Sequence, residues 1–280
     1  MSEQPVRRGE VRSSAHARVH ALVHAQVHAR FHTALRNCRD AALALLLPRA
    51  CVSCEHPLAE GEAGVVCGAC WSRLAFLPHP QCARCGHPTR GRDCRYCALL
   101  PPFVRAARSV CFVPHEVGAA IVYALKYHEW RATAEGIAER MARLSWPADV
   151  VRERAALVPV PLSPVRLRER GFNQAELVAS GLGQRWHVPV WTDVLRRERM
   201  TTTQTRLTPD ERAANVHGAF LVPTDDPTVR SRLKGRHVVL VDDVLTTGAT
   251  LNACAHALFS AGARIVSYAT FARARSSEDR

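Results

Sequence analysis

Four C-x-x-C pairs crowd into one stretch of this chain: Cys51 with Cys54, Cys67 with Cys70, Cys82 with Cys85, and Cys94 with Cys97. A C-x-x-C turn aims two thiolates at one point, and two such turns close a tetrahedral site of the structural zinc type. Four turns therefore require two ions. Grouping the first pair with the second and the third with the fourth gives the shortest loops and is the expected arrangement, although the spacing also allows an interleaved one. Iron–sulfur ligation and thioredoxin-like redox chemistry use C-x-x-C as well, but neither needs four evenly distributed pairs. Eight thiolates fill two tetrahedra and leave no position for water or substrate, so catalysis is expected elsewhere in the chain. From Cys51 to Cys97 the composition shifts to cysteine, glycine and proline with few apolar residues, which predicts that metal rather than burial holds this segment. Cys38, Cys111 and Cys254 fall outside the pattern and read as core or incidental residues.

With eight of eleven cysteines in such pairs and no secretory pattern at the N-terminus, a reducing, cytoplasmic setting is expected. The apolar run Ala41 to Leu47 is too short to cross a bilayer, and Pro48 and Arg49 follow it, so no membrane insertion is expected. The formal net charge is +13, and Lys126 and Lys234 are the only lysines among 38 basic residues. An arginine-dominated excess suits phosphate-bearing partners, and it also fits the codon bias of a GC-rich genome. The excess does not lie in the cysteine-rich segment, where Arg73, Arg84, Arg90, Arg92 and Arg95 face Glu55, Glu60, Glu62 and Asp93. Aromatic residues for stacking bases make up 6% of the chain. Protein partners are therefore favoured over DNA for the ribbons.

Three regions follow from composition: a His/Arg-rich extension over 1–47, helical or disordered; a double zinc ribbon over 48–100; and a globular domain over 101–280. In the extension, His16, His20, His24, His28 and His32 recur every fourth residue. On a helix such a stripe drifts slowly around the axis, and it reads either as metal capture by imidazoles or as a low-complexity segment. In the globular domain, strands are expected near Ala107 to Val113, Ala156 to Val160, Val238 to Val241 and Ile265 to Phe271. Helices are expected over Val117 to Leu144, Arg168 to Arg185 and Ala249 to Ala261. This alternation predicts an α/β fold, a parallel sheet with helices on both faces.

The chemistry-bearing motif is VVLVDDVLTTGAT, Val238 to Thr250. Asp242 and Asp243 stand where the apolar run stops, at the end of a strand where ligands of such sheets gather. Thr246, Thr247, Gly248, Ala249 and Thr250 then open a helix whose N–H groups and hydroxyls suit a phosphate. Carboxylates beside a phosphate need hydroxyls or a divalent cation to engage, and a ribose 5-phosphate offers the hydroxyls.

The apolar run, Asp-Asp and T-T-G-x-T resemble the phosphoribosyl pyrophosphate (PRPP) signature of type I phosphoribosyltransferases. The resemblance narrows to the ComF family, with its GntX relatives, through the cysteine pairs, Leu125 to Tyr127, VPVPLSPVRLRERGFNQAELVA from Val158 to Ala179, and Thr202 to Phe220. It implies a type I phosphoribosyltransferase-like sheet preceded by a small double zinc ribbon, two structural zinc ions, and PRPP bound with magnesium. It further implies a link to competence and DNA uptake. By the resemblance Asp242 and Asp243 would hold the ribose hydroxyls and Thr246 to Thr250 the 5-phosphate. Arg166, Arg168 and Arg170 lie in a turn suited to pyrophosphate. Lys126 is a further phosphate candidate, and Gln204, Arg212 and Asn215 lie in the segment corresponding to the loop that closes over PRPP. Asn173, in the Gly171 to Gln174 quartet, reads as a helix cap or as part of the site. Thr246 stands where 6-oxopurine transferases place a carboxylate, which argues against purine salvage of that type. Two functions remain in view: phosphoribosyl transfer to an unidentified acceptor, and a non-catalytic interaction protein that uses the fold as scaffold or sensor and engages DNA-processing proteins or single-stranded DNA.

Overall fold

A computed structural model of the chain describes residues 49–59, 62, 64–89, 94–127, 130–198, 218–223 and 225–275. The His16 to His32 repeat, Cys38, Gln204, Arg212 and Asn215 lie outside the described residues. Residues Ala50–Arg280 form one unit that contains both the ribbons and the sheet.

Each ribbon is a pair of tight cysteine turns, with helix α1 (Gly68–Ser72) in the first and a 3-10 turn (Arg95–Leu99) in the second. Strand β1 (Val104–Val113) follows, then helices α2 (Glu116–Tyr127), α3 (Trp130–Ala142) and α4 (Ala148–Glu153). Next come β2 (Arg154–Pro159), α5 (Pro164–Arg170), α6 (Gln174–Trp186) and the short strand β3 (Arg196–Arg197). The chain ends through β4 (Phe220–Leu221), α7 (Pro227–Leu233), β5 (His237–Leu245), α8 (Ala249–Ser260) and β6 (Ile265–Ala274). The sheet order is β1-β6-β5-β2, with every pairing parallel, and β3 and β4 form a separate antiparallel pair.

A strand covered on both faces is apolar at successive positions rather than at alternate ones, and β5 shows this. Val238 and Leu240 enter one core with α7 and α8, whereas Val239 and Val241 enter the other with α2, α3 and α6. The expected parallel sheet is present, with two differences of extent. Strand β5 continues past Val241 to Leu245, so the acidic pair lies within it: the ladder to β6 carries on through Asp242 opposite Thr270 and Val244 opposite Ala272. The helix expected over Arg168 to Arg185 is two helices, because Gly171 takes a left-handed φ of 77° and closes α5. Asn173 then caps α6, its Oδ1 accepting from the Ala175 N–H at 3.1 Å.

The expectation that little burial supports the ribbons is corrected by the structure. Cys51, Val65, Val66, Cys70 and Leu74 of the first ribbon join the core on the α2, α3 and α6 side, and Cys85 and Leu100 of the second join the core on the α7 and α8 side. The ribbon segments also bond the free edge of β1. Phe112 donates to the Ala75 carbonyl, Leu77 to the Val110 carbonyl and Ala107 to the Arg84 carbonyl, at 2.8, 3.2 and 2.8 Å.

Candidate functional site: the acidic pair, its loop and the two cysteine clusters

The alternation that divides β5 between two cores also divides its carboxylates. Asp242 shares the parity of Val238 and Leu240, and Asp243 that of Val239 and Val241. On the α2 and α6 side, Lys126 Nζ stands 2.5 Å from Asp243 Oδ2, and the buried Gln174 side chain also reaches Asp243. Lys126 is thus part-buried rather than an exposed surface lysine, and it is the counter-ion of one carboxylate. Burial pushes the Asp243 carboxyl up, but Lys126 and the hydrogen bonds from Asp242 and Gln174 outweigh it, holding Asp243 below the usual carboxylate range. Asp242 is driven well above that range by burial first and by the neighbouring Asp243 charge second. Among the described residues, a second carboxylate held this close to the first has no cation of its own as near as Lys126 is to Asp243, and a divalent cation or a hydroxyl-rich ligand would favour its charged form.

Toward the other core, Asp242 lies in the field of Arg197 on β3, which in turn feels Arg166 on α5. Burial and the Arg166 charge both disfavour the Arg197 cation, while Asp242 favours it. Sequence reasoning did not single out Arg197. It stands in a two-residue strand among many arginines, and only the β3–β4 pairing brings it to the site. Arg170 is engaged nearby, its Nη1 donating to Gln174 Oε1 at 2.5 Å and its guanidinium lying 5.3 Å from the Tyr127 ring centroid. Arg168 is exposed on α5, so the expected arginine turn is a short helix, with Arg170 engaged by Gln174 and Arg168 facing solvent.

The loop after β5 behaves as its composition predicts. Gly248 caps α8 with φ 84°, a left-handed conformation that glycine enters at little cost, and no side chain caps the helix from that position. Thr246 is exposed, and Thr247 Oγ1 accepts from the Ala249 N–H at 3.5 Å. With Thr250, these residues form the start of α8, directly after the strand that carries Asp242 and Asp243.

The cysteines fall into two groups, Cys51, Cys54, Cys67 and Cys70, and Cys82, Cys85, Cys94 and Cys97. Within each group the sulfurs lie within 4.8 Å of one another, which is the sequential arrangement. Thiolates need donors to remain charged, and two of the first group have them: Cys67 N–H reaches Cys51 Sγ at 3.3 Å and Arg73 Nη2 reaches Cys70 Sγ at 3.3 Å. Burial opposes ionisation of Cys51, yet backbone N–H groups led by that of Cys67 bring its thiol down to about 6. Cys82 falls to about 7 by the same balance, with the N–H groups of Cys85 and Arg84 against burial. All-sulfur donor sets of this spacing suit tetrahedral zinc. Cys111 and Cys254 are buried in the core, as expected, and burial pushes both thiols up.

Comparison with known proteins matches residues 42–100 to the double zinc ribbon domain and residues 167–280 to the phosphoribosyl transferase domain. The DNA utilization protein YhgH of Escherichia coli is 30% identical over 233 residues, covering 79% of this chain and 96% of that protein. Competence protein F of Haemophilus influenzae is 27% identical, covering 80% of this chain and 96% of its own length. This chain belongs to the ComF family. Competence protein ComFC of Bacillus subtilis, 30% identical, covers 75% of the chain and 84% of that protein. The ComF assignment joins a phosphoribosyltransferase-like α/β sheet to an N-terminal double zinc ribbon, the fold class expected from the sequence. Among the described residues, no helix is long and apolar enough to cross a membrane.

Proposed function

We propose that this ComF-family chain binds PRPP with magnesium and acts in the handling of DNA, in the setting that the names of its competence and DNA-utilization relatives indicate. One observation carries the reading: an Asp-Asp pair on a central strand, the buried Asp243 neutralised by Lys126 and the part-buried Asp242 driven toward its protonated form, beside a glycine-capped helix start. A phosphate at Thr246 to Thr250 places ribose hydroxyls over Asp242 and Asp243. Hard oxygen donors of this kind fit magnesium, which supplies charge neutralisation of the pyrophosphate when bound. Arg166 and Arg168 are the pyrophosphate partners in this reading, Arg170 supports them from Gln174, and Gln204, Arg212 and Asn215 remain partners from the closing loop. The zinc ribbons over 48–100 serve as structural and protein-docking elements rather than as the reactive site over 101–280.

Calorimetric titration of PRPP with magnesium into the chain, beside the double variant Asp242→Asn and Asp243→Asn, tests this. Binding in the wild type and none in the variant is expected. No binding by either, or equal binding by both, overturns the reading and leaves the fold as a scaffold for DNA-processing partners. If binding holds, pyrophosphate release in the presence of candidate acceptors separates transfer from sensing. Single-stranded DNA binding that weakens steeply with salt would add direct nucleic-acid contact.

A further inference from the structure

Asn252 sits in the first turn of α8, and its N–H makes the first helical bond of that turn, to the Gly248 carbonyl at 2.7 Å. Its side chain lies beside the Gly248 turn, where a Cβ on Gly248 would stand 3.6 Å from Nδ2 and 3.8 Å from Oδ1, and it is part of a bonded chain. Nδ2 donates to the Leu99 carbonyl at 2.8 Å, and the Tyr268 hydroxyl donates to Oδ1 at 3.0 Å. A carbonyl only accepts, so the amide nitrogen must face Leu99 and the amide oxygen must face Tyr268. Leu99 ends the 3-10 turn that carries Cys97. That turn is held from beneath by Arg84, between Cys82 and Cys85, whose guanidinium donates to the carbonyls of Cys97, Leu100, Pro101 and Val104 at 3.2, 3.1, 2.8 and 3.2 Å. Among the described residues the first ribbon has no comparable route: Cys51, Cys70 and Trp71 pack on the opposite face of the sheet.

We propose that Asn252 is a positioning residue that braces the phosphate-loop helix against the second ribbon, so that the order of the Cys82, Cys85, Cys94 and Cys97 cluster sets the order of the Gly248 turn. This rests on the reading of that turn as a phosphate site, but the brace is tested without a ligand. Loss of a cysteine ligand in the second ribbon frees the Leu99 carbonyl to move, and the helix start loses its outer support. The same loss in the first ribbon leaves the turn in place.

The experiment is amide hydrogen exchange on the zinc-loaded full chain, read at residues 252–254 of α8 and at Cys97 and Leu100 of the ribbon, in wild type, Asn252→Ala and Tyr268→Phe. Asn252→Ala is expected to speed exchange about tenfold at both places while amides of β5 stay protected, and Tyr268→Phe to act in the same direction more weakly. A residue that merely adds stability would raise exchange throughout. Cys94→Ser is expected to loosen residues 252–254, and Cys54→Ser to leave them unchanged. If Cys94→Ser does not fold, the Asn252 and Tyr268 variants decide. Unchanged exchange at 252–254 in Asn252→Ala, or equal loosening by Cys54→Ser, overturns the proposal. A parallel PRPP titration is expected to weaken about five- to tenfold in Asn252→Ala. A wild type that binds no PRPP would sink the ligand reading and still leave the exchange result to judge the brace.

Discussion

Both ribbons present two C-x-x-C turns, yet they are fastened to the same sheet by different chemistry. Beyond the backbone bonds of Ala75 and Leu77 to β1, the first is fastened by side-chain packing. Trp71 lies edge-on to Phe271, under the Arg140 guanidinium at 3.4 Å from its ring centroid, in space that Gly136 leaves open on α3. The second is fastened by arginines aimed at backbone carbonyls. Arg84 bonds four of them, Arg108 bonds those of Ala83 and Ser145, and Arg273 bonds that of Cys85. Apolar packing tolerates small shifts, because area rather than angle sets its strength. A lattice of directed bonds does not, and a carbonyl that loses its donor inside it carries the cost alone. The ribbon that touches the phosphate-loop helix is the one held by directed bonds.

Metal removal has the largest expected effect. Metal analysis is expected to return two zinc ions per chain, one for each four-cysteine group. Stripping both costs on the order of 10 kcal/mol per site in zinc-bound folding energy. One ion per chain would break the comparison, since only one ribbon would then be a metal site. Below that lies Arg84→Ala, which removes donors from four carbonyls and is expected to cost about 3 to 4 kcal/mol in denaturant unfolding. A cost under about 1 kcal/mol would mean that water replaces the guanidinium freely.

Trp71→Ala, the matching cut in the first ribbon, is expected to cost about 2 to 3 kcal/mol, because the ring is only part-buried. The smallest effects come from a pair of glycines and sharpen the contrast. A Cβ at Gly86 would stand 2.3 Å from the Ala107 carbonyl oxygen, whereas one at Gly136 would meet the Trp71 ring at 2.8 Å. Backbone cannot yield as a side chain does. Gly86→Ala is therefore expected to cost about 2 kcal/mol. Gly136→Ala is expected to cost about 1 kcal/mol or less, since alanine regains helix propensity while the ring shifts. Equal melting shifts for the two would show that both ribbons dock with the same compliance.

Local pattern made much of this legible in the sequence. The sequential cysteine groups followed from loop length, the parallel sheet from apolar runs alternating with helical segments, and the acidic pair with its loop from residue type and order. Contacts between distant segments were not legible. The pairing of Lys126 with Asp243 joins α2 to β5, and sequence alone gave the lysine no partner. Arg197, in the field of Asp242, is set there by the β3–β4 pair. Asn252 looks like ordinary helix filler until Leu99 and Tyr268 are placed around it. The extent of β5 was also hidden, because polar residues at a strand's ligand-facing end imitate a loop.

The ribbon segments lie along the outer edge of β1, the last strand on one side of the sheet. An uncovered edge presents a row of unpaired N–H and C=O groups to any other extended chain, and it is a common seed of edge-to-edge aggregation. With Ala75, Leu77 and Arg84 bonded along it, that edge is closed by polypeptide from the two cysteine-turn segments. Zinc held by the two four-cysteine groups is then expected to guard solubility as well as shape: stripping it is expected to uncover β1, with self-association at high concentration ahead of melting, as light scattering during a chelator titration would read.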